Sequence, residues 1–124
     1  MILVDTSVWV GHLRAADVKL TRLLNDGLVV GHPWVTGEIS LGNLANRTEI
    51  QALLGNLPQA QVATPAEVAT LIETHRLHGL GIGYVDTQLV ASTLLTADTL
   101  LWTADRRLSE VATRLGIQAD LATG

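Results

Sequence analysis

The chain opens MILVDTSVWV (residues 1–10). Four apolar residues run into Asp5, and the apolar pattern resumes at Val8 and Trp9. A continuous apolar run this short reads as a strand buried on both faces, the kind found in parallel sheets. The carboxylate at its end has two readings. It caps the helix that follows, worth about 1 kcal/mol, or it is one arm of a site.

Working outward, strand and helix signals alternate. Residues 6–13 read as a helix, and a second amphipathic stretch carries Val18, Leu20, Leu23 and Leu24 before Asn25-Asp26-Gly27 closes it. Leu28, Val29 and Val30 form a second strand. Residues 33–44 (PWVTGEISLGNL) are helical in pattern, although Gly37 and Gly42 weaken the stretch by roughly 1 kcal/mol each relative to Ala. Residues 47–54 continue as another helix.

Thr64, Pro65 and Glu67 form the clearest helix start, with a capping Thr, Pro at the first helical position and Glu three residues after the cap. That helix is expected to run to about His78 and to end in the loop GLGIG (79–83). Residues 84–95 are helical, residues 99–102 (TLLW) form a strand, and residues 105–115 form the last long helix. Alternation of this kind predicts one α/β domain over residues 1–124, with helices on both faces of a parallel sheet.

Composition bounds the function. Hydrophobic residues make up 48% and charged residues 16%, which excludes a disordered chain. A mean hydropathy of +0.32 leaves room for an apolar contact surface. No apolar run approaches the ~20 residues of a membrane span, and the first strand lacks the basic flank of a signal peptide. The chain has no cysteine, so thiolate zinc sites and cysteine nucleophiles are out, and a reducing cytoplasm is the expected location.

In such a fold, ligands bind beyond the C-terminal ends of the strands. Asp5 closes the first strand, and Asp105 follows TLLW by two residues. Asp86 falls in the first turn of the helix after GLGIG, and Glu38 lies early in the helix after the second strand. Taken singly, these acids read as caps, dipole partners or exposed helix residues. Their conjunction at four strand-to-helix junctions is what matters. Clustered carboxylates repel and raise one another's pKa values unless a cation joins them. An all-oxygen set suits a hard ion, Mg2+ or Mn2+, and such ions grip phosphates.

LVDTSVW, VTGEISLGNL, GIGYVDTQLVAS and LLWTADRRL, in this order, resemble the PIN-domain ribonucleases, and among them the VapC toxins of bacterial toxin–antitoxin pairs. The resemblance spans essentially the whole chain. It implies a three-layer α/β/α fold around a mainly parallel sheet of four to five strands. It also implies an acidic set at Asp5, Glu38, Asp86 and Asp105, with Asp98 excluded because it precedes TLLW and lies at the wrong end. The implied activity is Mg2+- or Mn2+-dependent endonucleolytic cleavage of RNA, in which metal-activated water attacks phosphorus in line. The implied partners are a homodimer mate and a VapB-type antitoxin whose tail covers the active-site groove.

Thr6 and Thr103 are expected to orient the carboxylates or waters. Arg14, Arg76, Arg106 and Arg107 are candidate phosphate contacts, each weighed against a role as a solvated helix residue. His75 and His78, spaced i, i+3, are expected to share a helix face but lack a third ligand for zinc. Trp9, Trp34 and Trp102 read as core. The net charge of −4 does not exclude RNA: without the four site acids, eight acidic residues balance eight basic ones.

Two related readings fail. A haloacid-dehalogenase-type phosphotransferase needs a second Asp where Ser7 stands. A response-regulator receiver needs an acidic pair at the first strand's end and a late lysine, whereas the sole lysine is Lys19. A catalytically silent PIN-like binding module is the alternative from another class, and it leaves Glu38 unexplained.

Overall fold

The computed structural model describes residues 1–121. Its centre is a parallel sheet of β1 (Ile2–Val4), β2 (Val29–Val30) and β3 (Leu100–Trp102), in the order β2-β1-β3. Ile2 faces Val29 on one side and Leu100 on the other, and Val4 faces Trp102. Leu3, Val4 and Leu101 are wholly buried, as a strand covered on both faces requires.

Each edge carries one further parallel bridge, Gly31 with Gln59 and Leu101 with Gln118. The Gly31 N–H donates to the Pro58 carbonyl at 2.7 Å, and the Ala119 N–H donates to the Leu101 carbonyl at 2.8 Å. The expected four to five strands are therefore three strands plus two single-bridge edges. Pro58 has no N–H to extend the pairing at its edge.

Counted with those edges, the segments run 3-2-1-4-5 across the sheet. The helices are α1 (Thr6–Arg14), α2 (Val18–Asn25), α3 (Pro33–Ser40), α4 (Arg47–Asn56), α5 (Pro65–His75), α6 (Tyr84–Leu95) and α7 (Arg106–Arg114). Right-handed crossovers put α1 to α4 on one face and α5 to α7 on the other. The packing agrees: α1 lies on α3, α3 on α4, and α5 on α6. The order reverses between β1 and β3, so the ligand crevice opens where those two strands end.

Two helices stop earlier than their patterns predict. The stretch expected to be helical over residues 33–44 ends at Ser40, where Leu41 caps it and the Gly42 N–H closes a tight turn onto the Ile39 carbonyl at 3.0 Å. The helix expected to reach His78 ends at His75. Arg76 turns left-handed (φ 52°), and the Leu77 N–H reaches back to the Ile72 carbonyl at 3.0 Å. Burial of Leu77 draws the chain off the helix axis, so His75 and His78 do not share a helix face. The Thr64–Glu67 capping box forms as read.

Below the crevice, α6 carries a fully buried polar chain. The His32 Nδ1 accepts from the Trp34 N–H at 3.0 Å, capping α3, which leaves Nε2 to donate to the Ser92 hydroxyl at 2.9 Å. That hydroxyl donates to the Gln88 Oε1 at 2.6 Å. The Gln88 amide also brackets Ala63, accepting from its N–H at 3.1 Å and donating to its carbonyl at 2.9 Å. The network ties the start of α3 to the middle of α6, and every member has a partner. Half of such a network costs more than none of it. Gln88→Leu strands the Ala63 carbonyl and leaves its N–H only the Ser92 hydroxyl at 3.2 Å, and we expect a loss of about 1–3 kcal/mol, read as a lower urea midpoint with an unchanged m-value. An unchanged midpoint would remove the network from the account of stability.

Candidate active site

Asp5 occupies the end of β1 and is buried, with 4% exposure. Its Oδ2 accepts from the Ser7 hydroxyl at 2.6 Å, the Thr103 hydroxyl at 2.8 Å and, more weakly, the Ser7 N–H at 3.4 Å. The last bond makes Asp5 the N-cap of α1. The Thr103 bond crosses from β1 to the end of β3, over the point where the strand order reverses. Cap and site are therefore one position.

Ser7 escaped the sequence reading. It donates to Asp5, and its oxygen accepts from the Ala104 N–H at 3.0 Å. The Asp-x-Ser spacing is a capping signal, and that alone was available to find it. Thr103 Oγ1 in turn accepts from the Asp105 N–H at 3.0 Å, which fixes the turn that presents Asp105. Asp105 caps α7, its Oδ1 accepting from the Leu108 N–H at 2.9 Å.

Glu38 stands on the exposed side of α3, and its Oε1 accepts from the Thr6 hydroxyl at 2.7 Å. Thr6 thus bridges the first turn of α1 to α3. Asp86, half-buried in the first turn of α6, titrates well above an ordinary carboxyl, pushed up to about 6. Burial is the main cause, followed by the negative charge of Asp5; the Gly83 backbone opposes the rise, and the charges of Asp105 and Glu38 add to it. All three other acids lie within electrostatic reach of Asp86. The fold thus brings the four acids within charge range at one end of the sheet, around Asp86.

They do not close into a tight ligand set. Among the described residues, no three His, Asp or Glu side chains converge at metal-holding spacing, whereas the sequence reading expected a gathering within a few ångströms. Mg2+ does not need such closure, because it keeps several waters and is held through one or two carboxylates. Among the described residues, the hydrogen bonds fall on Oδ2 of Asp5, Oδ1 of Asp105 and Oε1 of Glu38. The second oxygen of each accepts no hydrogen bond among the described residues. An all-oxygen, charge-strained set of this kind fits a hard divalent cation.

The remaining candidates fall in different places. Arg14 lines a groove of about 350 Å³ with Glu38, Val10, Leu13 and Ile39. Arg107 lies against the GLGIG loop. A Cβ on Gly81, whose φ is +78°, would come within 2.5 Å of the Arg107 Nη1, so only glycine lets the guanidinium settle there. Arg106 pairs with Glu110 on the exposed side of α7 at 3.2 Å. Arg76 is exposed at the C-terminus of α5. Asp98 lies at the opposite end of the sheet, where its carbonyl accepts from the Met1 amino group at 2.8 Å.

Of the three tryptophans read as core, only Trp9 is buried. Trp34 and Trp102 are partly exposed, and Trp34 pairs with Tyr84 near the crevice.

The model of the PIN domain matches residues 2–114. Two curated relatives from two strains of Mycobacterium tuberculosis, each named Ribonuclease VapC32, are 45% identical over 117 residues. The match covers 94% of this chain and 94% of each relative. The chain belongs to the PIN-domain family, as a member of VapC type.

Proposed function

We propose that this chain is a metal-dependent endoribonuclease, the toxin of a VapBC-type pair, with Asp5, Glu38, Asp86 and Asp105 as its active site. The observation that carries the reading is the charge coupling of Asp86 to the other three acids across the strand-order reversal, in a chain similar to proteins named ribonuclease. These four residues would hold Mg2+ or Mn2+. Bound there, the ion lowers the pKa of water and offsets charge on the phosphoryl oxygens.

The chain's own residues do the positioning. Ser7 and Thr103 lock Asp5, so its free oxygen points one way, and Thr6 does the same for Glu38. Asp86, pushed up to about 6 by burial and its acidic neighbours, would be fully ionised once a cation sat among them, which suits it to hold the ion. Arg14 and Arg107 border the acidic crevice and are assigned to backbone phosphates of the RNA. Arg76 and Arg106 keep that assignment only weakly, since one caps a helix end and the other is paired with Glu110. A silent binding module accounts for the capping roles of Asp5 and Asp105. It gives no reason for a Thr hydroxyl to hold exposed Glu38.

The proposal extends to partners and place: a homodimer and a VapB-type antitoxin, in the cytoplasm. Leu94 and Leu95 stand exposed on α6 beside α5, an apolar surface that a second copy would cover. Among the described residues, no helix is long and apolar enough to cross a membrane. Light scattering at micromolar concentration is expected to give twice the chain mass of 13.2 kDa; a single-chain mass would reject the dimer.

Purified protein incubated with total RNA and Mg2+ or Mn2+ should cut at discrete positions, and chelator should stop it. Asp86→Asn and Asp5→Asn should abolish cutting while keeping the fold. Full activity in either variant or in EDTA rejects the assignment.

The same acid sets a stability profile. The folded-state pKa of Asp86 is raised, so the fold binds its proton more tightly than the unfolded chain, and stability falls as pH rises from about 4 to about 6. Buried His32 is shifted down by desolvation, so the unfolded chain takes its proton first, and stability falls as pH drops below about 6.5. The two oppose each other between those limits. In EDTA at pH 7.5, Asp86→Asn should melt above wild type. On acidification the gap should close, because only the variant shows the His32 loss unopposed. Parallel profiles for the two proteins would contradict the raised Asp86 pKa.

A further inference from the structure

Only four residues of this chain are Phe, Tyr or Trp. Trp9 is buried in α1, and Trp102 ends β3. The other two, Trp34 and Tyr84, meet between the first turns of α3 and α6, the helices that carry Glu38 and Asp86. Their ring centroids lie 5.9 Å apart, tilted by 39°, and Tyr84 is 49% exposed. Trp34 stands in the first turn of α3, one helical turn before Glu38 and so on the same helix face. Tyr84 opens α6, two residues before Asp86. An aromatic pair serving only to pin two helices would be covered; in this one Tyr84 stands exposed and Trp34 is partly so, on the two helices that bear Glu38 and Asp86.

Building on the ribonuclease reading, we propose that Trp34 and Tyr84 form a stacking platform for an unpaired base of the RNA, next to the linkage that is cut. Sequence-tolerant recognition of single-stranded RNA works through base stacking on aromatic side chains. The contact between the rings already orders both side chains, so less entropy is lost when a base joins them.

The charge distribution favours the same conclusion. Half of the eight basic side chains are already engaged: Lys19 with the Leu121 carbonyl, Arg47 with the Gly42 carbonyl, Arg106 with Glu110, and Arg114 with the His75 carbonyl. A chain of net charge −4 with so few free cations gains little from phosphate neutralisation alone. Stacking supplies affinity that does not depend on charge.

The test uses a fluorescein-labelled single-stranded oligoribonucleotide that spans a cut site mapped in total RNA. Binding is measured by anisotropy on the Asp86→Asn protein with Mg2+, and cleavage on the otherwise wild-type chain. Tyr84→Leu and Trp34→Leu should each weaken binding about 5- to 150-fold, while Tyr84→Phe should bind as its parent does, and urea midpoints identify any variant that fails to fold. Abasic substitution of the stacked nucleotide should cost the parent the same factor and cost Tyr84→Leu nothing more. Unchanged affinity in both leucine variants, or an abasic loss that persists in full in Tyr84→Leu, overturns the platform while leaving cleavage by the Asp–Glu site intact. A wild-type chain that neither cuts nor binds RNA overturns the ribonuclease reading itself.

Discussion

The hydrogen bond from Thr103 to Asp5 joins the ends of two parallel strands at the point where the sheet changes winding direction. Much of the molecule depends on it. Asp5 is a buried carboxyl, a group that demands hydrogen-bond partners, and the Ser7 and Thr103 hydroxyls provide them. The same carboxylate starts α1. Through Ser7 and Thr103, it also sets the backbone of the β3–α7 turn, and hence the place of Asp105. The crevice is a consequence of how two strand ends are tied together.

That arrangement carries an electrostatic cost. Asp86 shows it directly, with its ionised form disfavoured by burial and by its three acidic neighbours. A fold under selection for stability alone would place an amide or an aliphatic group there. The buried His32–Ser92–Gln88 chain holds α6 against this strain from below, fixing the helix that bears Asp86 to the start of the helix that bears Glu38. Site and scaffold thus pull in opposite directions on the same helix, and the polar network, fully satisfied, resists the movement that would let the carboxylates drift apart.

How much of this was legible in the residues depends on the range of each interaction. Local signals read well. The MILV run, the Thr64–Glu67 box and the alternation of helix and strand depend on neighbours within a few positions, and the acids at strand-to-helix junctions could be placed from topology alone. Features that depend on tertiary contact did not show. The segments at Gln59 and Gln118 contribute one bridge each, too few residues for any period. The end of α5 is set by the burial of Leu77, and nothing in its helical pattern predicts a stop. The buried role of His32 has no local signal beyond its capping bond to Trp34, because its other partner, Ser92, lies sixty positions away. Trp34 read as core because indole rings usually are, and only its neighbour Tyr84, distant in sequence, shows otherwise.

The acidic balance of the chain now has a physical sense. Affinity for a polyanion built from many lysines and arginines is strong, indifferent to sequence and sharply weakened by salt. This molecule sets four of its acids at the strand-to-helix junctions, and half of its eight cations are engaged by backbone carbonyls or by Glu110. A polyanion approaching such a surface is repelled unless a divalent ion converts the crevice from negative to attractive. Recognition and chemistry then share one requirement. On the proposed function, a cation held there would both activate water and supply the charge that admits the phosphate, and stacking on Trp34 and Tyr84 would add affinity for an unpaired strand whatever its sequence.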